Sequence, residues 1–353
     1  LDNDPSERLA TASLGGAERP PTPSAPRSIL ALSGGGSHGA YTAGVLTGWT
    51  ASGVRPEFDV VTGVSTGALI APLAFLGPAH DPEIEAIYTN TIARDVYRWH
   101  SLPRLLWSDS AANSTPLRHL IESVVTPEVI DQIAAAHRAG RRLYVGTTDL
   151  DTKRQVVWDM GAIAAGTDPE KRDLFCRVLL ASASVPGLMP PVAFDIDVGG
   201  RRRTELHVDG AVSATVFVQP RMLGPPGPTT RVYVVVAGKL AADALPVRLR
   251  LLPVAQASVN GVLTARARDD VQRIYRLARE AGAGFAVARM ADDFPAATAS
   301  LSFEPKVMRQ MFDEGVRVGS RPAEWDPVPP GADAEGQPEP RSGVRFEAPA
   351  NSR

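Results

Sequence analysis

Cysteine is nearly absent from this 353-residue chain, where Cys176 stands alone. A single thiol excludes an intrachain disulfide and any metal site built on several cysteines. It sits in the apolar run Leu174-Phe175-Cys176 and reads as a buried, inert side chain. A strong charge of either sign is missing too. The formal net charge is −2, so no broad field draws in nucleic acid or an anionic membrane, and only local basic patches are left to act. Nor is there a long hydrophobic run. The longest, Leu69–Leu76 and Val232–Ala237, fall well short of the roughly 18 apolar residues of a spanning helix and are core-sized. Internal repeats are absent. Histidine is scarce, with six in all and none beyond His207, which restricts the choice of a catalytic base.

What is present is enough apolar material, 44% of residues, to build a sizeable core. Residues 1–27 are rich in Pro, Ser and Ala without periodicity and read as a disordered leader that cannot repay its own ordering entropy. The chain begins at Leu1 rather than Met, as it would after removal of an export signal or after simple trimming. From Ser28 the pattern changes. Strands are expected at Ser28–Leu32, Phe58–Thr62, Arg142–Gly146, Gln155–Trp158, Thr204–Val208 and Arg231–Ala237, with helices at His38–Thr50, Thr66–Leu76, Pro127–Ala139 and Pro169–Ala181. This alternation points to an α/β sandwich. Residues 28–240 form the expected main domain. Residues 241–320 read as a helical extension packed on it, helical from Val247 to Ala288 with a break at Pro253 and again from Glu304 to Val318. Residues 321–353 read as a loose tail.

Three motifs carry chemistry. Ser33-Gly34-Gly35-Gly36-Ser37-His38-Gly39 lies between a strand and a helix. Its glycines let the backbone approach a ligand and aim free amides at it, with the helix's positive end adding to the field. Such a loop suits a phosphate or an oxyanion, and equally a tight structural turn. Gly63-Val64-Ser65-Thr66-Gly67 is again strand-to-helix. A nucleophilic serine on that sharp turn needs small neighbours, because the strained backbone crowds them. The third is Asp209-Gly210, closing the alternating run Thr204–Val208. A serine hydroxyl needs a base. On spacing alone His207 and Asp209 share one strand face, so either fits.

Gly34-Gly35-Gly36-x-x-Gly39, Gly63-x-Ser65-x-Gly67 and Asp209-Gly210, in that order, resemble the patatin-like phospholipases, bacterial members included. The likeness runs from about Ser28 through Pro220, and Gly146–Asp151 and Ala181–Pro186 also look familiar from bacterial members. It implies a three-layer α/β/α sandwich around a mostly parallel sheet. It implies a Ser65–Asp209 dyad, an acyl-enzyme, and an oxyanion hole from Gly34, Gly35 and Gly36 with Thr66. Gly39, Gly63, Gly67 and Gly210 support these motifs. The implied activity is a lipid acyl hydrolase acting on phospholipid or lysophospholipid, without metal or cofactor. Two positions depart from the family pattern. Ser37-His38 stands where Arg or Lys often follows the glycines, making any cationic contribution pH-dependent or absent. Ala211 replaces the second glycine of Asp-Gly-Gly, which is tolerable if its φ is negative.

Other readings stay open at this point: a Ser–His–Asp esterase using His207, and a non-enzymatic lipid-binding module. Asp149 with Asp151 and Asp195 with Asp197 suit turn-capping or solvated roles better than a metal site. The Trp99–Trp107 stretch suits an acyl groove or a transient membrane-surface contact. The leader favours a protein exported to, or anchored in, a bacterial envelope over a cytoplasmic one.

Overall fold

The structure is a computed structural model that describes residues 8–10, 27–100, 110–198, 201–226, 229–241, 247, 249–295 and 301–332. A nine-stranded mixed sheet runs through it. Its strands in chain order are β1 (Arg8–Ala10), β2 (Ser28–Leu32), β3 (Val60–Val64), β4 (Arg142–Asp149), β5 (Arg154–Asp159), β6 (Val192–Val198), β7 (Arg201–Asp209), β8 (Arg231–Val235) and β9 (Gly284–Ala288). Across the sheet the order is β1-β5-β4-β3-β2-β8-β9. From β4 to β9 all neighbours are parallel, and β5 is antiparallel to β4. The antiparallel β6–β7 pair joins through β7, which pairs with β4 beyond the stretch that pairs with β3.

The principal helices are α1 (Gly39–Ala51), α2 (Thr66–Leu76), α3 (Asp81–Asn90), α4 (Thr115–Val124), α5 (Pro127–Arg138), α6 (Met160–Ala165), α7 (Lys171–Ser182), α8 (Leu251–Glu280) and α9 (Pro305–Gly319). Strand alternation assigns them to two faces. Leu30 and Leu32 of β2, Val61 of β3 and Val145 of β4 share one core with α1, α2, α5, α7 and α9. Ile29, Val60, Val64, Val232 and Val234 face the other way, onto Val271, Ile274 and Ala278 of α8 and the loop Val216–Val218. Both faces are covered, so β2 reads as an unbroken apolar run from Ile29 to Leu32 and β3 is apolar apart from Thr62. The result is the expected three-layer α/β/α sandwich.

The segment expected as a helical extension is also part of the sheet. Strand β9 lies within it, at Gly284–Ala288, beside β8. Gly282, at φ 67, ends α8 with a left-handed residue, and the small residues around it mask the strand in the sequence. Pro253 does not break α8. It occupies the first turn, where a backbone N–H has no intrahelical acceptor to lose. Helix α9 lies directly on α1. A Cβ on Gly44 would sit 2.0 Å from the Phe312 carbonyl oxygen, and one on Gly315 would sit 2.2 Å from that of Tyr41. Beyond α9, Trp325 is buried with its ring 4.5 Å from that of Trp49, and Asp326 bridges to Val287. Within the expected leader, Arg8–Ala10 pairs with β5. Residues 1–7 and 11–26 of that leader, and the tail from 333, lie outside the described residues.

Candidate active site

Ser65 follows the fully buried β3 and precedes α2. Its backbone is at φ 54 and ψ −122, a region that side chains other than hydrogen rarely adopt. The turn is tight enough to require its glycines. A Cβ on Gly63 would meet the Gly67 carbonyl oxygen at 2.5 Å, and one on Gly67 would meet that of Leu32 at 2.5 Å. The Ser65 N–H donates to Ser182 Oγ at 3.0 Å, and that hydroxyl donates to the Gly146 carbonyl at 2.7 Å.

Strand register brings Asp209 to this turn. Val64 pairs with Gly146 across β3 and β4, and the next β4 residue, Thr147, pairs with Asp209 of β7. Ser65 and Asp209 therefore become neighbours although far apart in sequence. Ser65 Oγ donates to Asp209 Oδ2 at 2.6 Å, while Oδ1 accepts from the Ala211 N–H at 2.8 Å. The Ser184 carbonyl accepts the Asp209 N–H at 2.9 Å, and Thr148 Oγ1 donates to the Asp209 carbonyl at 3.0 Å. A Cβ on Gly210 would lie 2.4 Å from the Gly146 oxygen, so glycine is required there as well. Burial pushes the Asp209 carboxyl up to about 6, against the opposing pull of the Ser65 and Ala211 hydrogen bonds.

The glycine loop lies against the same turn, with Gly34 packed on Ser65. The Gly34 N–H is committed to the Thr215 carbonyl at 2.9 Å. Gly36 turns at φ 56 and, with Ser65 and Thr66, borders one pocket. Gly39 packs against Thr66 and Tyr88, leaving no room for a side chain.

A match to the patatin-like phospholipase family spans residues 30–221. The chain belongs to that family. Among curated relatives, the cUMP-AMP-activated phospholipase of Escherichia coli is 38% identical over 109 residues. That stretch is 30% of this chain and 31% of the relative, so the alignment spans under a third of that protein. Among solved structures, VipD from Legionella pneumophila is similar at 11% identity, with a TM-score of 0.45 over 84% of this chain and 66% of its own.

In this patatin-like chain the Ser65 hydroxyl is hydrogen-bonded to Asp209, while His207 is bonded elsewhere. His207 is buried between Trp158 and Phe194, with ring centroids 5.5 and 4.9 Å away. Its Nδ1 meets Thr147 Oγ1 at 2.8 Å and its Nε2 meets Glu205 Oε2 at 3.4 Å. Both ring nitrogens are thus engaged away from Ser65. Desolvation lowers its pKa, with Glu205 and Asp149 pulling the other way. Asp149 caps the β4–β5 turn, accepting from the Asp151 N–H and Thr152 Oγ1, and Asp195 accepts from Thr204 Oγ1. Among the described residues, no group of three His, Cys, Asp or Glu is arranged to hold a metal. Positive φ among described non-glycine residues is confined to Ser65 and Lys153, so Ala211 satisfies the condition its methyl imposes.

The pocket below Ser65 encloses about 940 Å³ counting its open mouth. Its wall is aliphatic, from Leu69 and Leu73 of α2, Ile84 and Ile87 of α3, and Leu117 and Ile121 of α4. Leu301, Phe303 and Met308, from beyond the family match, complete it. Trp99 is exposed and meets Tyr97 edge-on, while residues 101–109 lie outside the described residues. Cys176 is buried, and burial pushes its thiol up to about 11.

Ser182 is the residue that reading the sequence missed. Its motif is visible in Ala181–Pro186, but nothing in that string says that one hydroxyl holds the Ser65 amide.

Proposed function

We propose that the protein is a serine lipid acyl hydrolase, with Ser65 as nucleophile and Asp209 as its base. The observation that carries this reading is the 2.6 Å contact between Ser65 Oγ and Asp209 Oδ2 at the head of an apolar pocket. Asp209 accepts the Ser65 proton as Oγ attacks the ester carbonyl. A carboxylate with an ordinary pKa near 4 is a weak base, and burial brings Asp209 closer to the operating pH. The strained turn holds Oγ at the start of α2, where Ser65 is buried but borders the pocket.

The tetrahedral oxyanion is met by the amides of Gly35 and Gly36 together with the Thr66 N–H. Thr66 opens α2, where the backbone amide has no intrahelical acceptor. Gly34 is left out of this assignment because its amide already serves Thr215. Its part is to fix the loop. The leaving alcohol departs with the proton from Asp209, and the acyl group stays on Ser65. Water then attacks the acyl-enzyme, giving its proton to Asp209, and Ser65 leaves with a proton returned to Oγ. The aliphatic wall suits a fatty-acyl chain, which makes phospholipid or lysophospholipid the substrate class.

The test is fluorophosphonate labelling with p-nitrophenyl ester turnover of the wild type, Ser65→Ala, Asp209→Asn and His207→Ala. Turnover falls by about 10⁴-fold or more in the first two variants, since members of one catalytic unit are not individually dispensable. His207→Ala keeps most of its activity. Full loss at His207 with activity retained at Asp209 would overturn the dyad.

A further inference from the structure

Helix α8 divides into two unlike halves. Its C-terminal half lies on the sheet through Val271, Ile274 and Ala278. Its N-terminal half is mostly exposed where its side chains are described. Residues 258–263 are six consecutive exposed positions. Since 3.6 residues complete a turn, every side of the helix there faces solvent. The composition does not suit that exposure. No charged residue occurs from Leu251 to Ala265, while Val259 and Val262 are 58% and 69% exposed, and Val254 and Leu263 are exposed as well. A helical segment that is apolar and unpacked has neither burial nor ion pairs to support it.

The fold places this half at the active-site edge. Helix α8 connects parallel β8 to β9, so it runs against them and begins beside their C-terminal ends. Ser65 lies at the C-terminal end of β3, which is parallel to the same strands. The join is direct. Arg266 donates to the Ser213 carbonyl and Asp270 accepts from the Thr215 N–H, holding the helix against the loop that follows Asp209. From Arg266 back to Leu251 the helix extends about 22 Å at 1.5 Å per residue. The turn beneath it adds exposed Val212, and the chain entering it adds Leu249, which is 96% exposed.

We infer that the N-terminal half of α8 is a membrane-docking prong that embeds in the interfacial region of a phospholipid surface and presents the Ser65 pocket to it. The inference rests on the lipid hydrolase reading above for its orientation. Three features favour a lipid surface over a second copy of this chain. The exposed Val254, Val259, Val262 and Leu263 spread over about half of the helix circumference, at 100° per residue, where a helix pair needs only a narrow seam. The uncharged polar residues Asn260 and Thr264 lie one turn apart on the remaining side, as on a helix lying in an interface. Arginines flank the apolar stretch, Arg250 before it and Arg266 and Arg268 after it, the latter two followed by Asp269 and Asp270, so charge begins only where the apolar stretch ends. The prong is also too short to span, and no described helix is long and apolar enough to cross a membrane.

The test uses Ser65→Ala protein, so that binding is read without hydrolysis. Its flotation with phosphatidylcholine vesicles, with and without phosphatidylglycerol, is compared with that of Ser65→Ala carrying Val259→Glu and Val262→Glu. Vesicle affinity should fall by about 100-fold or more, the loss expected when two buried valines are replaced by charges. Val262→Trp gives a second readout, a blue-shifted emission on vesicle addition. Absent flotation of the parent, or equal flotation of the glutamate variant, overturns the inference. So does sedimentation that finds a dimer which the glutamates dissociate, with no vesicle binding, for then the prong pairs with a second copy. With Ser65 intact, the glutamate variant should hydrolyse a soluble short-chain ester as the wild type does and lose hydrolysis of vesicle lipid. Absence of soluble-ester turnover in the wild type tells against the hydrolase reading alone, because flotation is scored separately.

Discussion

Residues 28–220 and residues 229–332 sit in one sandwich, yet they are held to their positions by different kinds of demand. In the first stretch the demands are local. Ser65 at φ 54 needs Gly63 and Gly67 around it, and Asp209 needs Gly210 after it, so each constraint leaves a short string in the sequence. In the second stretch they are distant. Gly315 is glycine because of Tyr41 and Val45, Trp325 is buried because of Trp49, and β9 is a strand because β8 leaves an edge open. A motif reports what a residue requires of its neighbours in the chain. It is silent about what is required by a partner hundreds of positions away.

The sharpest way to break this comparison is to ask whether the second stretch is dispensable. Gly315→Val places a side chain where a Cβ already meets the Tyr41 oxygen at 2.2 Å and the Val45 nitrogen at 2.8 Å. Both partners are backbone and cannot rotate aside. Overpacking of this kind costs about 3 kcal/mol or more. The expected result is a large drop in the urea midpoint, with ester turnover lost in parallel as α1 and the glycine loop before it are displaced. Gly53→Ala is the control. Gly53 has φ +75 and nothing within 4 Å of an added Cβ, so only the backbone preference is lost, about 1 kcal/mol. Equal midpoints for the two variants would mean that the α1–α9 contact does not hold the fold together.

The same contrast explains what the sequence disclosed. Strands β2 to β5, β7 and β8 and helices α1, α2, α5 and α7 are legible because apolar runs, glycine punctuation and the proline opening of α5 all act within a few residues, whereas β1, β6, α3, α4 and α6 are not read from the sequence. Ser65, Asp209 and their glycines are legible for the same reason. Choosing between His207 and Asp209 is not, since both point to one face of β7 and only the register with β4 separates them. Ser182 and the commitment of the Gly34 amide to Thr215 are tertiary facts without local signature. Strand β9 was hidden within Ala281–Ala288, where alanines and glycines around Phe285 and Val287 serve a helix or a buried strand equally.

A second prediction sharpens the comparison within the site itself. Asp209 is raised by burial from 3.8 to about 6, a displacement that converts to about 3 kcal/mol. A carboxyl whose folded pKa lies above its unfolded value binds its proton more tightly in the folded state. Stability from this group is therefore full below about pH 4 and is lost as pH rises to about 6. Asp209→Asn keeps an acceptor for the Ala211 N–H and has nothing to titrate. Its stability relative to wild type should grow between pH 4 and pH 6 and stay level above, as read from denaturant midpoints across that range. Activity runs the other way, since the base must be ionised, and wild-type turnover should rise with pH through about 6. A flat stability difference would mean that Asp209 is not desolvated in the folded state.

The smallest expected effect probes where the two stretches meet. Leu301 and Phe303 close the pocket below Ser65 although they lie outside the family match. The segment is held in place by Tyr97, whose hydroxyl donates to the Leu301 carbonyl at 3.2 Å and whose ring meets that of Phe303 edge-on. Phe303→Ala removes an apolar wall without touching Ser65, Asp209 or the glycine loop. A long acyl chain that lies along this wall loses contact worth about 1 kcal/mol, which raises its KM about fivefold. A butyryl ester fills little of the pocket and should keep both kcat and KM. The split is the informative part. A fall in kcat for both esters would mean that Phe303 supports the folded site as a whole. A change in KM confined to the long chain would mean that the stretch without motifs selects the substrate, while the stretch with motifs supplies the chemistry.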